Sequence, residues 1–194
     1  GLIVLLMVSI AAAFWVLTLI ERTGAEISTA RADRFESLRI MDTLRQTSDD
    51  LTRLARSYVA TGDERFLEYF DRVLAIRAGD APRPQDYHRI YWDYVIASGN
   101  FPRAEGAPQP IASVMKAAGL SGEEIALLEK AKRASNELAG LEERAINMVK
   151  GLYPDASGQY QAIRLLHSDQ YHAAKARIMS FIDEATDAAD LRTA

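Results

Sequence analysis

Arg53 and Arg56 stand three residues apart, about one helical turn, in a stretch without proline or glycine. A planar guanidinium can donate two parallel hydrogen bonds to a carboxylate, so such a pair suits an organic acid or an amino acid. Tyr58 follows on the same segment, and Tyr87, Tyr91, Trp92 and Tyr94 cluster downstream. Rings of this kind offer apolar walls with polar tips, or pack one segment of chain against another. The expected ligand site therefore has Arg53 and Arg56 as anion clamps and Tyr58, Tyr91 and Trp92 as walls.

Catalysis has no comparable constellation. The histidines are His88, His167 and His172, and the last two are five residues apart, off the i, i+4 spacing of a helical metal pair. No glycine-rich phosphate cradle, GxSxG elbow or paired-histidine zinc motif occurs. With zero cysteines the chain has no disulfide, thiolate or cysteine-type zinc chemistry. The expectation is no catalytic residue, no metal and no cofactor in this segment. A net charge of −4 leaves no basic excess for nucleic acid.

Helical periodicity must position these groups. Ser37, Met41, Leu44, Ser48, Leu51, Ala55 and Tyr58 repeat at alternating spacings of four and three, a seam on one helix face. The first proline is Pro82, so one helix is predicted to run to Ala60 and stop at Thr61-Gly62-Asp63, with Asp63 capping the next helix, ERFLEYFDRVLAIRAG. Pro82, Pro84, Pro102, Pro108 and Pro110 enclose QDYHRIYWDYVIASG, followed by IASVMKAAG. That region reads as a helical, proline-rich cap returning over the distal end of the first helix, where it would create a concavity.

Ser121 opens a long helix with Glu124 in capping-box position. Its seam is Leu128, Ala131, Ser135, Leu138, Glu142, Ala145, Val149 and Leu152, with a second stripe through Leu127, Ala134, Leu141 and Met148, up to a turn at Tyr153-Pro154-Asp155. Then come QYQAIRLLHS and a final helix capped by Asp169, carrying Tyr171, Ala174, Ile178, Phe181, Ala185 and Ala188. Alternating strand patterns are weak. Core positions are expected at Leu44, Leu51, Tyr58, Leu128, Leu138, Val149, Ile178 and Phe181. Glu142 sits between apolar seam neighbours, which calls for a cation from Arg53, Arg56, Lys150 or Lys175, either to set helix register or to hold a charged ligand. A structural pairing with Lys150, away from the ligand end, is the expectation.

Residues 2–20, LIVLLMVSIAAAFWVLTLI, carry no charge. At about 1.5 Å per residue they match the roughly 30 Å hydrocarbon layer, with Trp15 near a headgroup boundary. The reading is a retained transmembrane helix over 1–20 and a helical domain over 21–194, leading into a second crossing beyond 194. The chain starts at Gly1 without Met, so an excerpt is expected. The fold class is all-α: an elongated antiparallel four-helix bundle with its cap, preceded by the transmembrane helix.

The segments SDDLTRLARSYVATGDERFLEYFDRVLAIRAGDAPRPQDYHRIYWDYV, LEERAINMVKGLY and HSDQYHAAKARIMSFIDE resemble the N-terminal extracytoplasmic sensor region of bacterial transmembrane receptors, over most of 36–184. Such regions precede chemoreceptor, histidine kinase or nucleotide cyclase output modules. The resemblance implies a ligand-sensing domain in the periplasm, anchored in the bacterial inner membrane, passing a helix displacement across it. It also implies a homodimer, for which the Ser37-to-Tyr58 face is a ready seam. The partners expected are a small molecule, such as an organic acid or amino acid, or a periplasmic binding partner. The alternative is a membrane-anchored helical adaptor that binds a protein.

Overall fold

With no proline before Pro82, nothing in the backbone forces an early break. In this computed structural model α1 runs unbroken from Leu2 to Thr61 and is capped by Gly62. The structure describes residues 1–150 and 156–193, without the side chains of residues 4–6, 8, 11, 26 and 156. α2 is Glu64–Ala78, and the Asp63 side chain accepts from the Arg65 N–H, the cap read from the sequence. α3 is Trp92–Ser98 and α4 Ile111–Ala117. α5, Gly122–Val149, begins with the Ser121/Glu124 capping box in both directions. α6 is Ala156–Leu166 and α7 Asp169–Thr193. The chain is thus mostly helical.

Several expectations need correction. Pro82–Pro84 and Glu105–Pro108 form β1 and β2, an antiparallel pair inside the proline-rich segment that no alternating pattern announced. Proline holds φ near −65°, which suits short edge strands and removes competing helix. The aromatic helix starts only at Trp92, because Asp86 takes the left-handed conformation, φ 50°, and the chain before it turns. Ser168, one residue before the expected cap Asp169, accepts from the Tyr171 N–H at 3.2 Å. The expected turn at Tyr153-Pro154-Asp155, and seam residue Leu152, lie outside the described residues.

α7 runs antiparallel to both α1 and α5. Ser37 and Glu124 meet Arg192 at one end, and Arg56 meets Leu166 at the other. α2 descends beside α1 but is only 15 residues long, and Arg77 near its end bonds Ser135 of α5 at 2.9 Å. At 1.5 Å per residue it covers about 22 Å, against about 37 Å for α1 from Ser37 to Thr61. The lower part of that column is filled by residues 79–120. Gln46 of α1 bonds the Arg89 carbonyl, and Arg53 pairs with Asp93 of α3. The proline-rich segment therefore lies along the side of α1 between Arg39 and Arg53, not over the distal end, and an uninterrupted four-helix column set is replaced by three full columns and one divided one.

The α1 seam from Ser37 to Tyr58 is entirely buried, as are Leu128, Leu138, Val149 and Ile178. Phe181 is only partly buried, its ring approached by Lys130 and Arg177. Because α1 packs on α5 and α7 of its own chain, a second copy could not use this seam and would need another face. Among the described residues, which exclude the side chains at 4–6, 8 and 11, no helix is long and apolar enough to cross a membrane. Leu138, 1% exposed on the α5 seam, has no room to collapse around a loss of volume. Leu138→Ala should lower unfolding free energy by about 2–5 kcal/mol in a denaturant melt.

Candidate functional site

The residues singled out by sequence divide between two sides of α1. Arg53 bonds Asp50 at 2.8 Å and also pairs with Asp93. Arg56 turns the other way, donating to the Leu166 carbonyl at 2.7 Å and lying 5.0 Å from the Tyr171 ring centre. Tyr58 is buried, with its hydroxyl 3.3 Å from Glu64. Tyr91 and Trp92 are buried together in a cluster of tilted and edge-to-face rings that includes Tyr69 and Tyr87. Tyr94 is exposed. Among the described residues, the five predicted residues are thus engaged by neighbouring groups on different sides of α1.

Glu142 occupies the buried position expected, but its partners are hydroxyls. Tyr171 Oη donates to Glu142 Oε1 at 2.6 Å, and Thr52 Oγ1 lies 3.1 Å from the same oxygen. Lys175 Nζ reaches Ser48 at 2.8 Å and Asp49 at 2.9 Å, close enough to stabilise the carboxylate without touching it. Lys150 is exposed at the end of α5, so the expected Lys150 pairing gives way to this network. Burial raises the Glu142 pKa, opposed by the two hydroxyl bonds and by Lys175 and Arg77.

A cavity does form where the divided column leaves α1 exposed to the proline-rich segment. It has a volume of about 200 Å³. Arg39, Ile40 and Thr43 of α1 form one wall, and Arg83, Pro84, Asp86, Tyr87 and His88 the other, closed by Gln109 and Val114. Arg83 lies between Pro82 and Pro84, so its own backbone is restricted to extended conformations by the proline that follows. Gly106 on β2 comes so close that a Cβ there would stand 2.7 Å from the Arg83 carbonyl oxygen. These constraints fix where the Arg83 guanidinium emerges.

Arg83 lies over the Tyr87 ring at 5.2 Å, and among the described residues it makes no hydrogen bond or ion pair. Tyr87 in turn accepts a bond from Trp92 Nε1 at 2.7 Å, which anchors its ring in the buried aromatic cluster. Arg39 is bonded to Glu36, and Asp86 faces Arg103 at 3.4 Å. Burial lowers the Arg83 pKa, with Tyr87 opposing and Arg39 adding to the effect; a guanidinium nevertheless stays cationic at neutral pH. Burial and Arg39 push the His88 pKa down, against the pull of Asp86. The cavity can receive an anion. Among the described residues, no cluster of histidine and carboxylate side chains could hold a metal ion.

The sequence points to an arginine site for an anion with an aromatic wall, and of Tyr87, Tyr91, Trp92 and Tyr94 it is Tyr87 that lines this cavity. The local signal for Arg83 was an arginine held between two prolines. Comparison with protein-family models, curated proteins and solved structures gives no match for this chain.

Asp50, buried beside α3, has its pKa raised to about 6 by burial, with Arg53 opposing and Asp93 and Asp49 adding to the rise. The folded state then holds a proton that the unfolded state has already lost, so this group costs stability as pH climbs from about 4 to above 6. In urea melts across that range, the stability of the wild type should fall relative to Asp50→Asn. A constant difference would show that Asp50 titrates normally.

Proposed function

We propose that this chain is the membrane-anchored, ligand-sensing part of a bacterial transmembrane receptor, with residues 2–20 as the anchor and the helical domain in the periplasm. The observation that carries this reading is the continuity of α1. The same helix that walls the Arg83 cavity continues without a break into the N-terminal run, where Leu2, Met7, Ile10, Phe14, Trp15, Val16 and Leu19 are exposed and together surround its circumference. A helix apolar on every side is unfavourable in water and favourable in lipid.

The return of α7 supports the same reading. Arg34 pairs with Asp190 at 2.9 Å, and Arg192 bonds Ser37 at 3.0 Å and Glu124 at 3.1 Å. The first and last helices therefore run side by side toward the apolar run, in the antiparallel bundle arrangement that lets two helices carry a signal into a bilayer. A ligand that binds one arrangement better shifts the population by its differential affinity. The output would be a chemoreceptor, kinase or cyclase module after a second crossing.

The absence of cysteine allows two to be introduced cleanly. Nitroxides on Phe35→Cys and Leu191→Cys, both exposed, report the α1–α7 separation in lipid nanodiscs. Across a panel of organic acids and amino acids, a compound that raises the melting temperature should also change the spin–spin distance. Stabilisation with an unchanged distance would argue for a passive binding protein, and no stabilisation by any compound for the adaptor reading. Ser157→Cys should react with an impermeant thiol reagent once the outer membrane alone is permeabilised; labelling only after inner-membrane lysis would reverse the orientation.

A further inference from the structure

The groups bordering the cavity leave one positive charge unbalanced. Arg39 is matched by Glu36 and Asp86 by Arg103, while Arg83 faces only an aromatic ring among the described residues. A half-buried guanidinium without a counter-charge is costly, since the ring face returns only part of the lost hydration. The flanking prolines and the close approach of Gly106 hold it there regardless. Preorganisation of this kind lowers the entropy a ligand must lose on binding.

We propose that the cavity between α1 and the β1–β2 pair binds a small monocarboxylate, whose carboxylate pairs with Arg83 and whose short apolar body lies beside Val114. The class follows from charge, shape and size. A single unbalanced cation matches a single negative charge, and a second would approach the carboxylate of Asp86. The planar fork of a guanidinium fits a carboxylate in two parallel bonds. At about 200 Å³ the cavity is below the roughly 300–1,000 Å³ of drug-sized pockets, so the body is small. The Gln109 amide can donate to a carboxylate oxygen, whereas Thr43 Oγ1, which already donates to the Arg39 carbonyl at 2.7 Å, can only accept from a hydroxyl. This deepens the sensor reading and rests on it for consequence: occupancy would tie β1 and the turn after it to α1, the helix that continues into the apolar run.

The test is isothermal titration of the whole chain in nanodiscs with butyrate and benzoate, against butyramide, succinate and inorganic phosphate. Both monocarboxylates should bind once per chain, and the other three at least about tenfold more weakly. Arg83→Gln should remove binding, whereas Arg65→Gln, at an exposed position, should leave it unchanged. Val114→Phe, which fills the cavity without altering charge, should remove binding with the circular dichroism melt preserved. This second variant decides the matter if Arg83→Gln fails to fold. Binding of neither acid up to about 10 mM, equal binding of butyramide, tighter binding of phosphate or succinate, or binding unaffected by the Val114 change would each overturn the site. A monocarboxylate that binds as expected and leaves the Phe35–Leu191 spin distance unchanged keeps the site and rejects the sensor reading. Failure of both acids to bind, with another compound of the panel moving that distance, does the reverse.

Discussion

α2 is too short for the helix it accompanies, and most of the molecule's irregularity follows from that mismatch. Gly79, at φ 89°, ends the helix in a conformation few other residues adopt, and a Cβ there would stand 2.6 Å from the Pro110 ring. The chain leaving α2 and the chain entering α4 are thereby pressed together. What lies between them must be a closed excursion, and the β1–β2 pair closes it. Proline-rich strands and short helices cover a helix face less completely than a long helix does. The cavity beside Arg39 and Arg83 is the space left over.

The opposite side of α1 is organised by polar groups in positions an apolar bundle would fill with leucine. Ser48, Thr52, Glu142, Tyr171 and Lys175 form one connected network across α1, α5 and α7. Such networks contribute little net stability, since burial of charge offsets the bonds gained. Their effect is on uniqueness: a slip of one helix against another would leave a buried carboxylate facing methyl groups. Arg56 extends this ordering to the distal end through the Leu166 carbonyl and the Tyr171 ring.

How much of this could be read from the sequence depended on the range of the interaction. The stop at Gly62, the Asp63 cap and the Ser121/Glu124 box each rest on residues within four positions of one another, and they stand in the structure as read. The seams of α1 and α5 were legible because period reports burial directly. The strand pair was not, since prolines give no alternation and Pro82 meets Pro108 only through the chain reversal. The surroundings of the arginines were not legible for a related reason. Whether a guanidinium is available depends on which carboxylates the fold brings near it, and Arg53 acquires Asp93 from 40 residues away. Arg83, by contrast, is approached by none among the described residues.

Glu124 has two occupations at once. One oxygen accepts the Ser121 N–H at 2.6 Å and closes the first turn of α5, while the other accepts from Arg192 at 3.1 Å. The last turn of α7 is therefore latched to the first turn of α5 and, through the same guanidinium, to Ser37. Axial sliding of α7 by one residue, about 1.5 Å, would stretch both bonds together and unseat the cap of a neighbouring helix. Swinging of α7 about the latch strains neither bond to first order. These two contacts therefore constrain the height of the α7 tail more than its tilt.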